Sequence, residues 1–322
     1  MSAQNVAEAA RRLAAADAIV VDNPRARAAH RTFDFMRESR RQGSDRGTRG
    51  FLMVAPPQTG KSTILSSYLA RANTEEALAE GRIPVLMVTL TANQTRKGLS
   101  QDILRALAPF GYLAPWKSGT ESVLLDRVAT YIRRCQVELL ILDEFHHLVH
   151  SDKLEVNSSV SEMVKWLLIE AVAPIVMSGI DDAWKPVRGN VQLARRCEPP
   201  LELHQLDPSS AEDRKLFQEF LAAYLVELED RDIAKNATNL LHMDGVPDGL
   251  FSVAKGVLGE TCNLLKSALH LALQDGREEI THADLELATD MNYVAFKPGT
   301  SNPFKVGLPA LAPAKLSRSA RP

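Results

Sequence analysis

Residues 50–63 read Gly-Phe-Leu-Met-Val-Ala-Pro-Pro-Gln-Thr-Gly-Lys-Ser-Thr, and the fold follows from how this stretch divides. Gly50 to Ala55 is an apolar run of strand length, and a helical pattern runs from its far end to about Asn73. Between them lies a loop suited to curling round a phosphate. Such a loop turns its N–H groups inward and places a lysine at the β/γ-phosphates. It also sets a hydroxyl at Mg2+, at the head of a helix whose dipole favours anions. Gly60, Lys61 and Ser62 satisfy that spacing, while Ala55 stands where such loops usually begin with glycine. Pro57, Gln58, Thr59, Gly60, Lys61, Ser62 and Thr63 are therefore the candidate nucleotide-binding residues.

A second motif follows at Leu139-Leu140-Ile141-Leu142-Asp143-Glu144. Apolar residues ending in two carboxylates suit a central strand whose tip reaches the site. Asp143, with Ser62, would hold Mg2+, and Glu144 would polarise the water that attacks the γ-phosphate. Ile83 to Leu90 and Ala173 to Met177 read as further strands, with helical periodicity over 100–107 and 122–134. Short apolar strands alternating with helices imply a parallel sheet covered on both faces. The last of these strands runs into Ser178-Gly179, where a polar side chain could sense the γ-phosphate. Gln192-Leu193-Ala194-Arg195-Arg196-Cys197 then reads as a helix, and an arginine there could reach a neighbouring subunit's nucleotide. From Asp207 the texture is helical, with capping-box spacing at Ser209–Glu212 and Thr281–Asp284. This order resembles an AAA+ ATPase: an α/β P-loop domain with a parallel sheet covered by helices, then a small all-helical lid. The expected divisions are a helical, basic approach segment over 1–49, the nucleotide-binding domain over 50–205, the lid over 206–292 and a flexible tail over 293–322.

Composition agrees with an ordinary globular chain. Of 322 residues, 45% are hydrophobic and 24% charged, with a net charge of −2, which excludes wholesale disorder and fibrous repeats. Apolar runs fall far short of the ~20 residues of a membrane span. Cys135, Cys197 and Cys262 are scattered and odd in number, as in a reducing cytoplasm. The tail carries Lys297, Lys305, Lys315, Arg318 and Arg321 with no acid, and Asn302-Pro303-Phe304 is the one spot that a partner could grip. His146, His147 and His150 suggest a metal, but the adjoining acids are taken by Mg2+ and no further ligand stands at zinc spacing. Polar residues after the acidic motif are the preferred reading.

With these motifs in place the chain resembles the TniB family of transposition ATPases, relatives of TnsC and more remotely of MuB, over most of residues 18–292. The likeness rests on Val20-Val21-Asp22-Asn23-Pro24-Arg25, on Leu142-Asp143-Glu144-Phe145-His146, on the QLARR segment 192–196, and on the lid pattern from Gly256 to Lys266 with Ala268, Gly276 and Ile280-Thr281. It implies a regulator with modest ATPase turnover, using ATP and Mg2+. Its ATP-bound subunits would assemble as a ring or filament on duplex DNA, with little sequence preference. They would recruit a DDE transposase, with a TniQ-type target selector, and hydrolysis would reset the complex. By the same likeness Arg196 is the finger with Arg195 behind it, Val20 and Val21 lie over the adenine, and Arg96, Lys97, Lys117 and Thr120 touch DNA. Asn263 stands where many relatives carry a lid arginine, and a pI near 6.5 is low for a DNA-coating protein. Two other readings compete: an AAA+ remodeller of protein clients, and a nucleotide-binding scaffold that does not hydrolyse.

Overall fold

A computed structural model describes residues 3–43, 49–91, 95–148, 154–170, 172–296 and 301–307; His150 and the tail bases Lys297, Lys315, Arg318 and Arg321 lie outside them. The chain divides into two compact units, Pro24–His204 and, separately, Met1–Asn23 with Gln205–Pro322. In chain order the elements begin α1 (Ala3–Asp17), α2 (Pro24–Arg41), β1 (Gly50–Val54), α3 (Lys61–Ala72), α4 (Glu75–Ala79), β2 (Val85–Thr89), α5 (Arg96–Ala106) and α6 (Glu121–Arg134). They continue with β3 (Leu139–Asp143), α7 (Leu154–Ile169), β4 (Ile175–Gly179), α8 (Trp184–Arg188), α9 (Val191–Ala194) and β5 (Leu201–Glu202). The second unit ends with α10 (Ala211–Asp230), α11 (Val246–Ala254), α12 (Leu258–Gln274), α13 (His282–Thr289) and α14 (Pro303–Val306).

The first unit is built on a parallel sheet of order β2-β3-β4-β1-β5 among the described residues. Strand alternation sends side chains to two layers. Phe51 and Met53 of β1, Leu139 and Ile141 of β3 and Val176 of β4 pack with Ala29, Phe33 and Met36 of α2 and Leu65 and Tyr68 of α3. Leu52, Leu140, Leu142 and Met177 face the other way, onto Leu99, Ile103, Val128 and Val164 of α5, α6 and α7. Burial on both faces is why these strands are continuous apolar runs rather than alternating ones.

The sequence reading and the structure part at several elements. Where they agree, β3 and β4 end at the tips read from sequence, Asp143 and Gly179, and ladder pairing with β2 and β1 continues through them. α4, α7 and the two-residue edge strand β5 were not anticipated. The approach segment is not one piece: α2 lies on the sheet, whereas Ala9, Ala16 and Ile19 belong to the core of the helical unit. Arg12, only 7% exposed, fixes α1 there by bonding Glu8, the Ile233 carbonyl and Glu278.

In the helical unit the capping box at Thr281 and Asp284 is present in both directions. The other is displaced by one residue. Ser210 caps α10 by accepting from Asp213 N, because the Ser209 hydroxyl is already given to Asp207. The tail expectation also changes at Asn302-Pro303-Phe304. Phe304 is buried, its ring filling space over Gly249 where an added Cβ would come within 2.8 Å of it. Asn302 bonds the Glu286 carbonyl and Asp290 Oδ1, each at 2.8 Å, so the helical unit itself grips this segment.

Candidate nucleotide site

The P-loop leaves β1 and enters α3. Gln58 has φ of 63° and Gly60 of 91°, and the Thr59 hydroxyl donates to the Pro56 carbonyl at 2.7 Å, closing the loop on itself. A Cβ on Gly60 would meet open space, so it is the left-handed backbone, not crowding, that calls for glycine there. Gly60 also supplies no side-chain cap to α3, which leaves the first-turn N–H groups for an anion. Ser62 and Thr63 are exposed on that turn, as are Pro57 and Gln58 before it.

Lys61, 8% exposed, reaches across to the end of β3: its Nζ is 3.1 Å from Glu144 Oε1 and 3.5 Å from Asp143 Oδ1. Asp143 is held by the β2 pairing and by Leu90 N, which donates to its carbonyl at 2.9 Å. Glu144 leaves the strand with φ of 56°, a strained conformation of the kind found at working sites. β4 runs between β3 and β1, pairing Ser178 with Met53 and Gly179 with Val54, and Ala55 N donates to the Gly179 carbonyl at 3.0 Å. Ser178 therefore stands beside the P-loop strand, fully buried, and its hydroxyl has no hydrogen-bond partner among the described residues. The Asp143 Oδ1 atom makes no hydrogen bond either, only the 3.5 Å ion pair with Lys61. Buried polar atoms of this kind require a partner, and a phosphate with its cation supplies the matching charges. The residues present fit ATP and Mg2+.

Glu144, His146 and His147 also bring one ligand atom each within 4.8 Å of one another, a convergence the sequence reading set aside. The two imidazoles lie 4.4 Å apart with planes 34° from each other.

Other expected residues fall in separate places. Arg195 and Arg196 are exposed, just past the single turn of α9 rather than on a longer helix, because Gly50 N takes the Arg196 carbonyl at 2.9 Å. Arg49 Nη2 donates to the carbonyls of Arg195 and Cys197 at 3.3 and 3.1 Å, a brace the sequence reading missed. Val20, 47% exposed, and Val21 belong to the helical unit. Arg96 and Thr120 mark the starts of α5 and α6, which an Arg96–Glu121 ion pair of 3.2 Å ties together. The Thr120 hydroxyl accepts from Val123 N as the α6 cap, Lys97 is exposed, and Lys117 Nζ sits 5.2 Å from the Trp116 ring. No described helix is long and apolar enough to cross a membrane.

Comparison with solved structures finds the same architecture. ORC2 of Aeropyrum pernix, in ADPNP–ADP complexes, superposes with a TM-score of 0.56 at 16% identity, covering 77% of this chain and 62% of that one. ORC1 of the same organism, in complex with DNA, gives 0.55 at 16% identity over 84% and 66%. The Drosophila ORC bound to DNA gives 0.54 at 15% over 88% and 65%. The chain thus spans less than two thirds of each, and at this identity the likeness is one of fold. No curated protein matches. The family profile described as "Bacterial TniB protein" matches residues 20–206, more than half of the chain. On that match, this chain belongs to the TniB family.

Proposed function

We propose that this chain is an ATP-dependent, DNA-binding regulator of transposition. In this reading it assembles as an oligomer on duplex DNA, recruits a DDE transposase and a TniQ-type selector, and resets by slow ATP hydrolysis in the cytoplasm. The observation that carries the ATPase half is the meeting of Lys61 with Asp143 and Glu144 beside the orphaned Ser178 hydroxyl. The transposition half rests on the TniB match.

Each residue then has a task. Pro57 to Thr63 cradle the phosphates, with Lys61 turning from Glu144 toward them. Ser62 and Asp143 would hold Mg2+, which neutralises phosphate charge when bound. Glu144 takes the proton of the attacking water, and Ser178 reports on the γ-phosphate from β4. Arg196, with Arg195 next to it, projects from a loop anchored to β1 and reaches the neighbouring subunit's site, so the site is completed between subunits. Val20 and Val21 cover the adenine. Lys97 and Lys117, with the cap hydroxyl of Thr120 and Arg96 nearby, meet DNA phosphates, which carry no base information.

Sedimentation of the purified chain with and without duplex DNA, in ATP, ADP and no nucleotide, tests this. Large assemblies that need both ATP and DNA support it. A small particle indifferent to DNA in all three states overturns it in favour of a protein-directed AAA+ module.

A further inference from the structure

Glu144 has a polar neighbour on each side. Its Oε1 accepts from Lys61 Nζ at 3.1 Å, and its Oε2 lies 3.2 Å from His146 Nδ1, a close approach without hydrogen-bond alignment while the lysine holds the other oxygen. The lysine must leave for the phosphates if the proposed function holds, and His146 then remains as the group that fixes the carboxylate. His146 is well placed for that. It is 7% exposed and belongs to a short 3-10 turn, Phe145–Leu148, whose backbone is fastened by His147 N donating to the Glu144 carbonyl at 2.9 Å.

The other wall around His146 is the end of β4. Gly179 has no side chain there, and an added Cβ would lie 3.1 Å from His146 N, 3.4 Å from His146 Nδ1 and 2.9 Å from Ala183 Cβ. Glycine thus lets the imidazole come close to the strand that carries Ser178. One histidine therefore touches both the water-polarising carboxylate and the strand end beside the P-loop.

We propose that His146 is the positioning residue of Glu144: once Lys61 turns to the phosphates, the carboxylate rotates to accept from Nδ1–H through one oxygen, leaving the other to face the attacking water, and Gly179 at the end of β4 sets where the imidazole stands. No bond is made or broken by His146 in this role. The inference rests on Glu144 acting on water, and it adds a reason why a change at β4 reaches that carboxylate.

The test compares His146→Leu, His146→Asn and His146→Gln in steady-state ATP hydrolysis, with ATP affinity measured separately on a fluorescent analogue. Outer-shell partners of this kind are worth roughly 10–100-fold in activity. His146→Leu should lose about that much in kcat while KM and ATP affinity stay within about twofold. His146→Asn places an amide donor near the position of Nδ1 and should recover most of the loss, whereas His146→Gln, with its donor one bond further out, should not. In a Glu144→Gln background, His146→Leu should cost nothing more, because both changes remove one interaction.

Full turnover in His146→Leu, or equal loss in Asn and Gln accompanied by weaker ATP binding, overturns the inference. Should the leucine variant fail to fold, the Asn–Gln contrast alone decides: equal kcat in the two sinks the proposal. Unchanged turnover in Glu144→Gln would instead overturn the ATPase reading beneath it, so the two failures are distinct.

Discussion

Lys61 at the head of α3 and Glu144 just beyond β3 are 83 residues apart in sequence, yet their charged atoms stand 3.1 Å from each other. In the proposed function the pair would bring a phosphate-binding cation and a water-polarising carboxylate to one place, which lets binding and chemistry be tested separately. Lys61→Ala should abolish ATP binding in calorimetry. Glu144→Gln should keep binding while hydrolysis falls by ~10²–10⁴, the usual worth of a general base.

Gly60 offers a subtler test. Its φ of 91° has open space around the missing side chain, so Gly60→Ala strains the backbone without a clash. A cost of about 1–3 kcal/mol is expected if the loop keeps its shape. If the loop relaxes instead, thermal stability stays near normal and ATP affinity drops. Paired melting and binding measurements tell which route it takes.

Arg196 and Lys61 should complement each other between subunits. Arg196→Ala keeps an intact P-loop, and Lys61→Ala keeps an intact finger. Each alone should be nearly inactive, with a loss of ~10³ or more for the finger. Mixing the two proteins should restore part of the turnover, with a dependence on total concentration. No recovery at any ratio would argue that the arginine acts within its own subunit or not at all.

Lys97 and Lys117 should each contribute about one counterion to DNA binding. Replacing either by alanine should weaken binding across all sequences and lower the slope of log affinity against log salt by about 1. A salt series by fluorescence anisotropy on two unrelated duplexes measures both effects.

In the helical unit, Asp284 gives a pH prediction. Burial pushes its carboxyl up, but the Arg277 guanidinium, with bonds of 2.7 Å, and the Thr281 hydroxyl and N–H outweigh that and hold it below the usual carboxylate range. Its folded value is depressed, so the stabilisation is fully present above the unfolded value near ~4. It is lost as the pH falls through the folded value. Asp284→Asn should lower stability at neutral pH and flatten this part of the acid-unfolding profile in urea titrations.

How far the sequence could be read depended on whether a feature is local. The loop between β1 and α3 was legible because its turn is carried by adjacent residues, and so was the Thr281–Asp284 cap, where donor and acceptor are three residues apart. Asp143, Glu144 and Ser178 were legible as strand ends, since apolar runs stopping at polar residues mark a tip. Phe304 was misread for the opposite reason: a proline-rich, basic tail shows no core of its own, and its burial depends on the gap over Gly249 on a distant helix.

What the sequence by itself determined is the strand–loop–helix alternation, the position of the loop between β1 and α3 and the helical character of residues after Asp207. Only the tertiary structure decided that β4 lies between β1 and β3, that α1 joins the helical unit while α2 joins the sheet, and that Arg49 braces the loop of Arg195 and Arg196. It also decided that His146 meets Glu144 against Gly179. Strand order and such contacts depend on which apolar faces bury one another, a sum over residues far apart in the chain. Local propensity and spacing carry no record of that choice.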